Sequence, residues 1–217
     1  MSTYNPAIAK LDMPPRFARL PIDKRGYPVP KFVTWIDGEP DFRVVNTKWI
    51  GICRRERRCW LCGDKLGRHL AFVIGPMCSI NRISSEPPSH LDCARFACKA
   101  CPFMLNPQRR RNEAGLPEAT EQPGGIMIAR NPGVALIYIT REYRIMKDPD
   151  GGTLFSLGEP EKLEWFARGA PATREQIMAS INSGLPLLRA MAENEGSKAI
   201  AELDRCISRG MALVPAE

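Results

Sequence analysis

Cys59, Cys62, His90 and Cys93 are the residues of this sequence whose types and spacing could do chemistry. Within each pair two residues separate the ligands, which lets the backbone turn so that both side chains reach one ion. The chemistry is metal binding, because thiolates and imidazole are the ligands from which zinc builds a tetrahedron. Gly63 permits a tight return of the chain after the first pair. The segment between the pairs, residues 63–89, is long enough for a strand or hairpin, and Pro87-Pro88 stiffens the approach to His90. The second pair is expected at the start of a helix, where the dipole favours thiolate. Cys98 and Cys101 leave an alternative open. At i and i+3 of a short helix they face the same way, so they could replace His90 and Cys93 in a four-cysteine site, or serve as core residues of that helix.

Two more residues carry a chemical reading beside a bland one. Cys78 follows an apolar run and could act as a nucleophile if His69 were its base. A spare thiol and a surface histidine are the plainer assignments. His69 with Asn81 lies where a metal-dependent nuclease of zinc-finger type would carry its site, although Arg68 precedes His69 where an acidic-histidine pair is expected. No phosphate-binding glycine loop, His-Glu-x-x-His or Gly-x-Ser-x-Gly occurs. The sequence therefore names no catalytic residue. Arg54, Arg55, Arg57 and Arg58 share an arc of roughly 160° on a helix. With Arg109, Arg110 and Arg111 they are the candidate contacts to phosphate.

These residues need elements to position them. Residues 1–30 are rich in proline and read as an extended arm with a turn at Lys24-Arg25-Gly26. Strands are predicted at Lys31–Trp35 and Phe42–Val45 around Asp37-Gly38, as a loose hairpin with Pro40 in its loop. Asn46 can cap a helix running from Thr47 toward Cys59. On that helix Glu56 falls on the apolar side, so the helix frays there or Glu56 pairs with an arginine. Leu70–Ile74 reads as a buried strand ended by Gly75-Pro76, and residues 79–89 as a loop. A helix from Leu91 to about Cys101 stops at Pro102. Further on, strands are predicted at 133–140, 143–146, 153–157 and 162–166, with Asp148–Gly152 as a hairpin turn. Thr173-Arg-Glu-Gln176 has capping-box spacing. Gly184 and Pro186 are expected to interrupt the helix that follows, and Ser197 to cap a last one in which Cys206 is a buried apolar residue.

The chain has 217 residues, of which 44% are hydrophobic and 25% charged, an ordinary soluble composition that can bury a core. Apolar runs fall well short of the ~20 residues that cross a bilayer, and the start, Met1-Ser-Thr-Tyr-Asn-Pro, does not read as a signal peptide. The expected compartment is the bacterial or host cytosol, where reducing conditions favour a metal over disulfides for the eight cysteines. A net charge of +7 suits DNA, RNA or an acidic host protein as partner. The fold class expected is α+β, with a treble-clef-like zinc-binding N-terminal half over 1–105, a Pro/Gly-rich linker over 106–125, and a small antiparallel sheet with C-terminal helices over 126–217, the two parts being able to share one core.

The run Cys59-Trp-Leu-Cys-Gly63, the stretch Leu66-Gly-Arg-His-Leu-Ala-Phe-Val-Ile-Gly-Pro-Met-Cys78, the segment Ser85-Glu-Pro-Pro-Ser-His-Leu-Asp-Cys-Ala94 and the closing Cys101-Pro-Phe103 resemble a family of small bacterial and phage proteins without an assigned activity. The resemblance covers Pro15 to Phe103 and extends more loosely to Trp165–Arg174 and Gly184–Pro186. It implies a phage or prophage setting and supports the zinc pairing, and it supplies no catalytic residues. The function expected is a zinc-stabilised nucleic-acid-binding or regulatory protein. The alternatives are a module that binds a host protein and, third, a metal-dependent nuclease or other enzyme.

Overall fold

A computed structural model describes residues 4–107, 110, 112, 114–116, 123–125 and 131–216. Helices and antiparallel sheets are mixed throughout them. The first sheet is a separate hairpin of β1 (Val33–Ile36) and β2 (Glu39–Val45). The hairpin is tight rather than loose. Asp37 and Gly38 both take positive φ, 49° and 82°, as the two-residue turn that matches strand twist requires. Ile36 therefore faces Glu39 directly, and Pro40 sits within β2 opposite Trp35. Proline is tolerated there because a two-stranded ribbon consists only of edges.

The central sheet has the order β3-β5-β8-β9, where β3 is Leu70–Ile74, β5 Ala135–Thr140, β8 Pro160–Ala167 and β9 Ala170–Pro171. Its strands come from both sides of the Pro/Gly-rich stretch, since Phe72 of β3 pairs with Tyr138 of β5. Alternation along β5 serves both faces. Leu136 and Tyr138 enter the larger apolar cluster, with Phe72, Ile177 and Ile181. Ile137 and Ile139 enter a smaller one, with Ala71, Ala94, Cys98 and Phe166. A strand buried on both faces reads as a continuous apolar run, which is why this one stands out in the sequence. The third sheet has the order β4-β7-β6, where β6 is Tyr143–Lys147, β7 Thr153–Leu157 and β4 Ile83–Ser84.

α1 (Thr47–Glu56) ends on Arg57 in the left-handed conformation, and Glu56 at its end pairs with both Arg55 and Arg58. Residues 79–89 are not a simple loop. Pro76 opens α2 (Pro76–Asn81), the position at which its missing N–H costs nothing, and β4 follows. α3 (Leu91–Ala100) is followed by α4 (Pro102–Leu105). α5 (Arg174–Glu195) is one helix through Gly184 and Pro186, not two. Thr173 closes its capping box with Gln176. α6 (Ser197–Met211) packs back on α5 and on α2. The proline-rich start is a series of turns, not an extended arm. It buries Ile8, Phe17 and Leu20 in the main cluster, with Phe17 tilted against Phe96 of α3.

Candidate metal centre

The knuckle is a small closed loop hung on the exit of α1. The left-handed Arg57 turns the chain, and Leu66 donates its N–H back to the Arg57 carbonyl. Cys59 donates to Asp64 O, and Gly63 returns the bond to Cys59 O at 3.0 Å. Gly63 has φ 85°, and an added Cβ there would stand 3.1 Å from Lys31 Cγ, so both its freedom and its smallness are used. The second ligand segment docks by backbone bonds. Trp60 donates to Pro88 O, and Ser89 and Ala71 exchange both of theirs, which fixes His90 at the N-cap of α3 beside the knuckle.

The ligand atoms of Cys59, Cys62, His90 and Cys93 lie within 4.8 Å of one another and could hold one metal ion. Cys59 and Cys93 are fully buried, Cys62 nearly so, and His90 keeps an exposed edge. His90 Nδ1 stands 3.4 Å from Cys62 Sγ and 3.9 Å from Cys93 Sγ. Its other nitrogen, Nε2, lies 2.9 Å from the Lys65 carbonyl. A carbonyl only accepts, so the proton belongs on Nε2 and the Nδ1 lone pair faces the sulfurs. Two backbone N–H groups, of Cys62 and His90, point at Cys59 Sγ from 3.5 and 3.4 Å.

The electrostatics follow from this crowding. Burial pushes the Cys59 thiol up, but hydrogen bonding with Cys62, Cys93 and His90 outweighs it and the net direction is down. Hydrogen bonding with Cys59 and Cys62, with burial behind it, drives Cys93 up. The Cys59 and Cys62 sulfurs raise His90 to about 10. Without a cation, the cluster settles its charge by holding protons on some members. A divalent ion takes over that role and releases them. Three thiolates around a dication leave one net negative charge, and Arg16 lies near it. Burial alone would lower Arg16, but Asp92 at 3.5 Å, then Cys93 and Cys62, raise it. Neither Arg16 nor the Lys65 carbonyl was legible as part of the site. One is distant in sequence and the other is backbone, so no residue-type signal marks them.

The remaining candidates lie elsewhere. Cys98 is buried in the smaller cluster against the sheet, where burial raises its thiol to about 12, and Cys101 is half-buried at the end of α3. Cys53, buried under the knuckle, is also pushed up to about 12 by burial. Cys78 is exposed on α2, and His69 bonds Glu161 at 2.7 Å. The five residues of β3 separate the two, roughly 17 Å of strand. Cys206 is buried, as its neighbours on α6 suggested.

Of the arginines, Arg58 is half-buried and bonds Gly63 O as well as Glu56, so it belongs to the knuckle, and Arg55 shares the same carboxylate. Arg57 reaches Gly67 O. Arg54 is exposed with no ion pair among the described residues. Arg54 and Arg57 both act on the Tyr143 hydroxyl, holding down the rise that burial gives it. Arg110 is exposed, while Arg109 and Arg111 lie outside the described residues. No helix among the described residues is long and apolar enough to cross a membrane. Comparison with family models, with curated proteins and with solved structures finds no match to this chain.

Proposed function

We propose that this chain is a zinc-stabilised nucleic-acid-binding or regulatory protein of phage or prophage type that works in the cytosol. The four-ligand cluster carries the metal part. Zn–S and Zn–N bonds of about 2.3 and 2.0 Å at tetrahedral angles put sulfur about 3.5 Å from nitrogen. The two sulfur–nitrogen distances given above, 3.4 and 3.9 Å, bracket that value. Three thiolates with one imidazole suit zinc better than a hard cation. Four protein ligands with little exposure make the centre structural, without an open position for water. The order knuckle, strand, helix with the second pair at its start supports the treble-clef reading.

The nucleic-acid part rests on one observation. Arg54, Arg57 and Arg144 of β6 are exposed and have no ion pair among the described residues, and Arg54 and Arg57 both act on the Tyr143 hydroxyl next to Arg144. Exposed guanidinium groups without a carboxylate partner are the groups that contact phosphates. Binding of short duplex and single-stranded DNA and RNA, measured across a salt series, tests this. Affinity should fall steeply with salt, and Arg54→Gln or Arg144→Gln should each reduce the slope by about 1. Absence of binding at low salt removes the reading. A second reading, a module that binds an acidic host protein, is favoured by β6 itself, an edge strand with Arg144, Ile145 and Met146 all exposed. Capture from host lysate that survives nuclease and is lost in Arg144→Glu would favour it.

A further inference from the structure

A cavity of about 350 Å³ opens where β3 and β8 end and β5 begins, and none of the four clustered ligand residues, Arg54 or Arg57 lines it. This volume is at the small end of ligand sites. Val73, Val134, Phe103, Met104 and Phe166 supply apolar walls. Most polar groups of its lining are already spent. Ser84 Oγ bonds the backbone of Glu86 on both sides, and the Asn131 amide bonds the carbonyls of Phe103 and Asn106 and the Gly133 N–H. Arg168, like Ser85, is not. It lies on the lining, is exposed, and has no hydrogen bond or ion pair among the described residues. It also occupies the first position of the tight β8–β9 turn at φ 51°, where Gly, Asn or Asp is the favoured residue. A non-glycine residue held left-handed beside a cavity is the kind of local cost that accompanies ligand clamps.

We propose that this cavity binds a small organic anion with an apolar body, a medium-chain or aryl-alkyl carboxylate, whose charged end meets Arg168 while its body lies along the apolar walls. A guanidinium pairs a carboxylate through two parallel hydrogen bonds, and Arg168 is the one cation among the described lining residues. Glu86 is the one acid among the described lining residues. Burial raises its carboxyl to about 7, so near neutral pH it carries only part of a charge and repels an anion less than an ordinary glutamate would.

The test titrates octanoate into the metal-loaded full chain, followed by calorimetry and by NMR shifts of cavity methyl groups, with octanol and octylammonium as charge-free and charge-reversed probes. Octanoate should bind one per chain, with octylammonium at least tenfold weaker. Arg168→Asn, which suits the turn, should weaken octanoate at least tenfold and leave octanol unchanged. Ala135→Phe, which fills the cavity, should abolish both. Should that variant fold poorly, Arg168→Asn decides alone. Failure of octanoate to saturate, equal affinity for octylammonium, or unchanged affinity in Arg168→Asn would overturn the proposal. None of these readouts depends on nucleic-acid binding.

Discussion

The knuckle and the helical layer of α2, α5 and α6 solve the same problem by different means. Around Cys59–Leu66 the chain is held by backbone bonds and by N–H groups aimed at sulfur, with Trp60 stacked on Phe32 and Leu61 buried in the main apolar cluster. An ion of structural type would add on the order of 10 kcal/mol there. The helical layer has no such clamp. It is joined by close approach, since a Cβ on Gly210 would stand 2.6 Å from Ile80 Cδ1, and one on Gly184 2.7 Å from Met77 Sδ. The same residue types thus do different work in the two regions. Gly63 is needed for its φ as well as its size, whereas Gly184 and Gly210 are needed for their size alone. On α3 alone, Cys93 turns to the ligand cluster and Cys98 to the sheet.

The largest expected effect breaks the contrast directly. Chelation, or Cys62→Ser, should remove most of that ~10 kcal/mol from the knuckle and abolish hydrogen-exchange protection at the Cys62 and His90 amides, while the amides of α5 stay protected. If knuckle protection survived metal stripping, the two regions would be held alike. Next comes Gly210→Ala, which forces its Cβ onto Ile80 and should cost ~1–3 kcal/mol in denaturant melts. Gly184→Ala should cost less, because Met77 is flexible. Thr173→Ala removes the α5 cap and should cost ~1 kcal/mol, without altering metal content. The smallest effect concerns the join between α3, which carries Cys93, and the sheet. Arg95 of α3 bonds Glu164 of β8 at 2.7 and 2.5 Å, and with Lys162 holds that carboxyl down at about 2. A depressed carboxyl stabilises the fold fully above its ordinary value near 4.5, and that contribution fades as pH falls toward 2. The Tm gap between the unaltered protein and Glu164→Gln should therefore be constant above pH 5 and close on acidification.

What the sequence makes legible is what depends on neighbours along the chain. The two Cys/His pairs, the capping box at Thr173 and the fully apolar β5 are all local patterns. The misreadings arise where one residue has two uses. Pro76 looks like a strand terminator and is a helix opener. Gly184 and Pro186 look like a break, yet the helix passes through them because Gly184 meets Met77 and Pro186 is exposed. Pro40 looks like loop and lies in a strand. Pairings across distance carry no local mark at all. Nothing in Leu70–Ile74 announces Ala135–Thr140 as its partner, and nothing marks Arg16 as a neighbour of the thiolates.

The pairing of β3 with β5 has a consequence in time. A nascent chain is laid down from its N-terminus. All four ligands have been made once Cys93 is added, whereas β5 begins only at Ala135, 42 positions afterwards (135 − 93). Ion capture can therefore close the knuckle while the ribosome is still working toward the sheet's middle strand, leaving β3 with one side waiting for its mate. For that interval a bound ion, and not the sheet, would set the shape onto which the rest of the polypeptide folds.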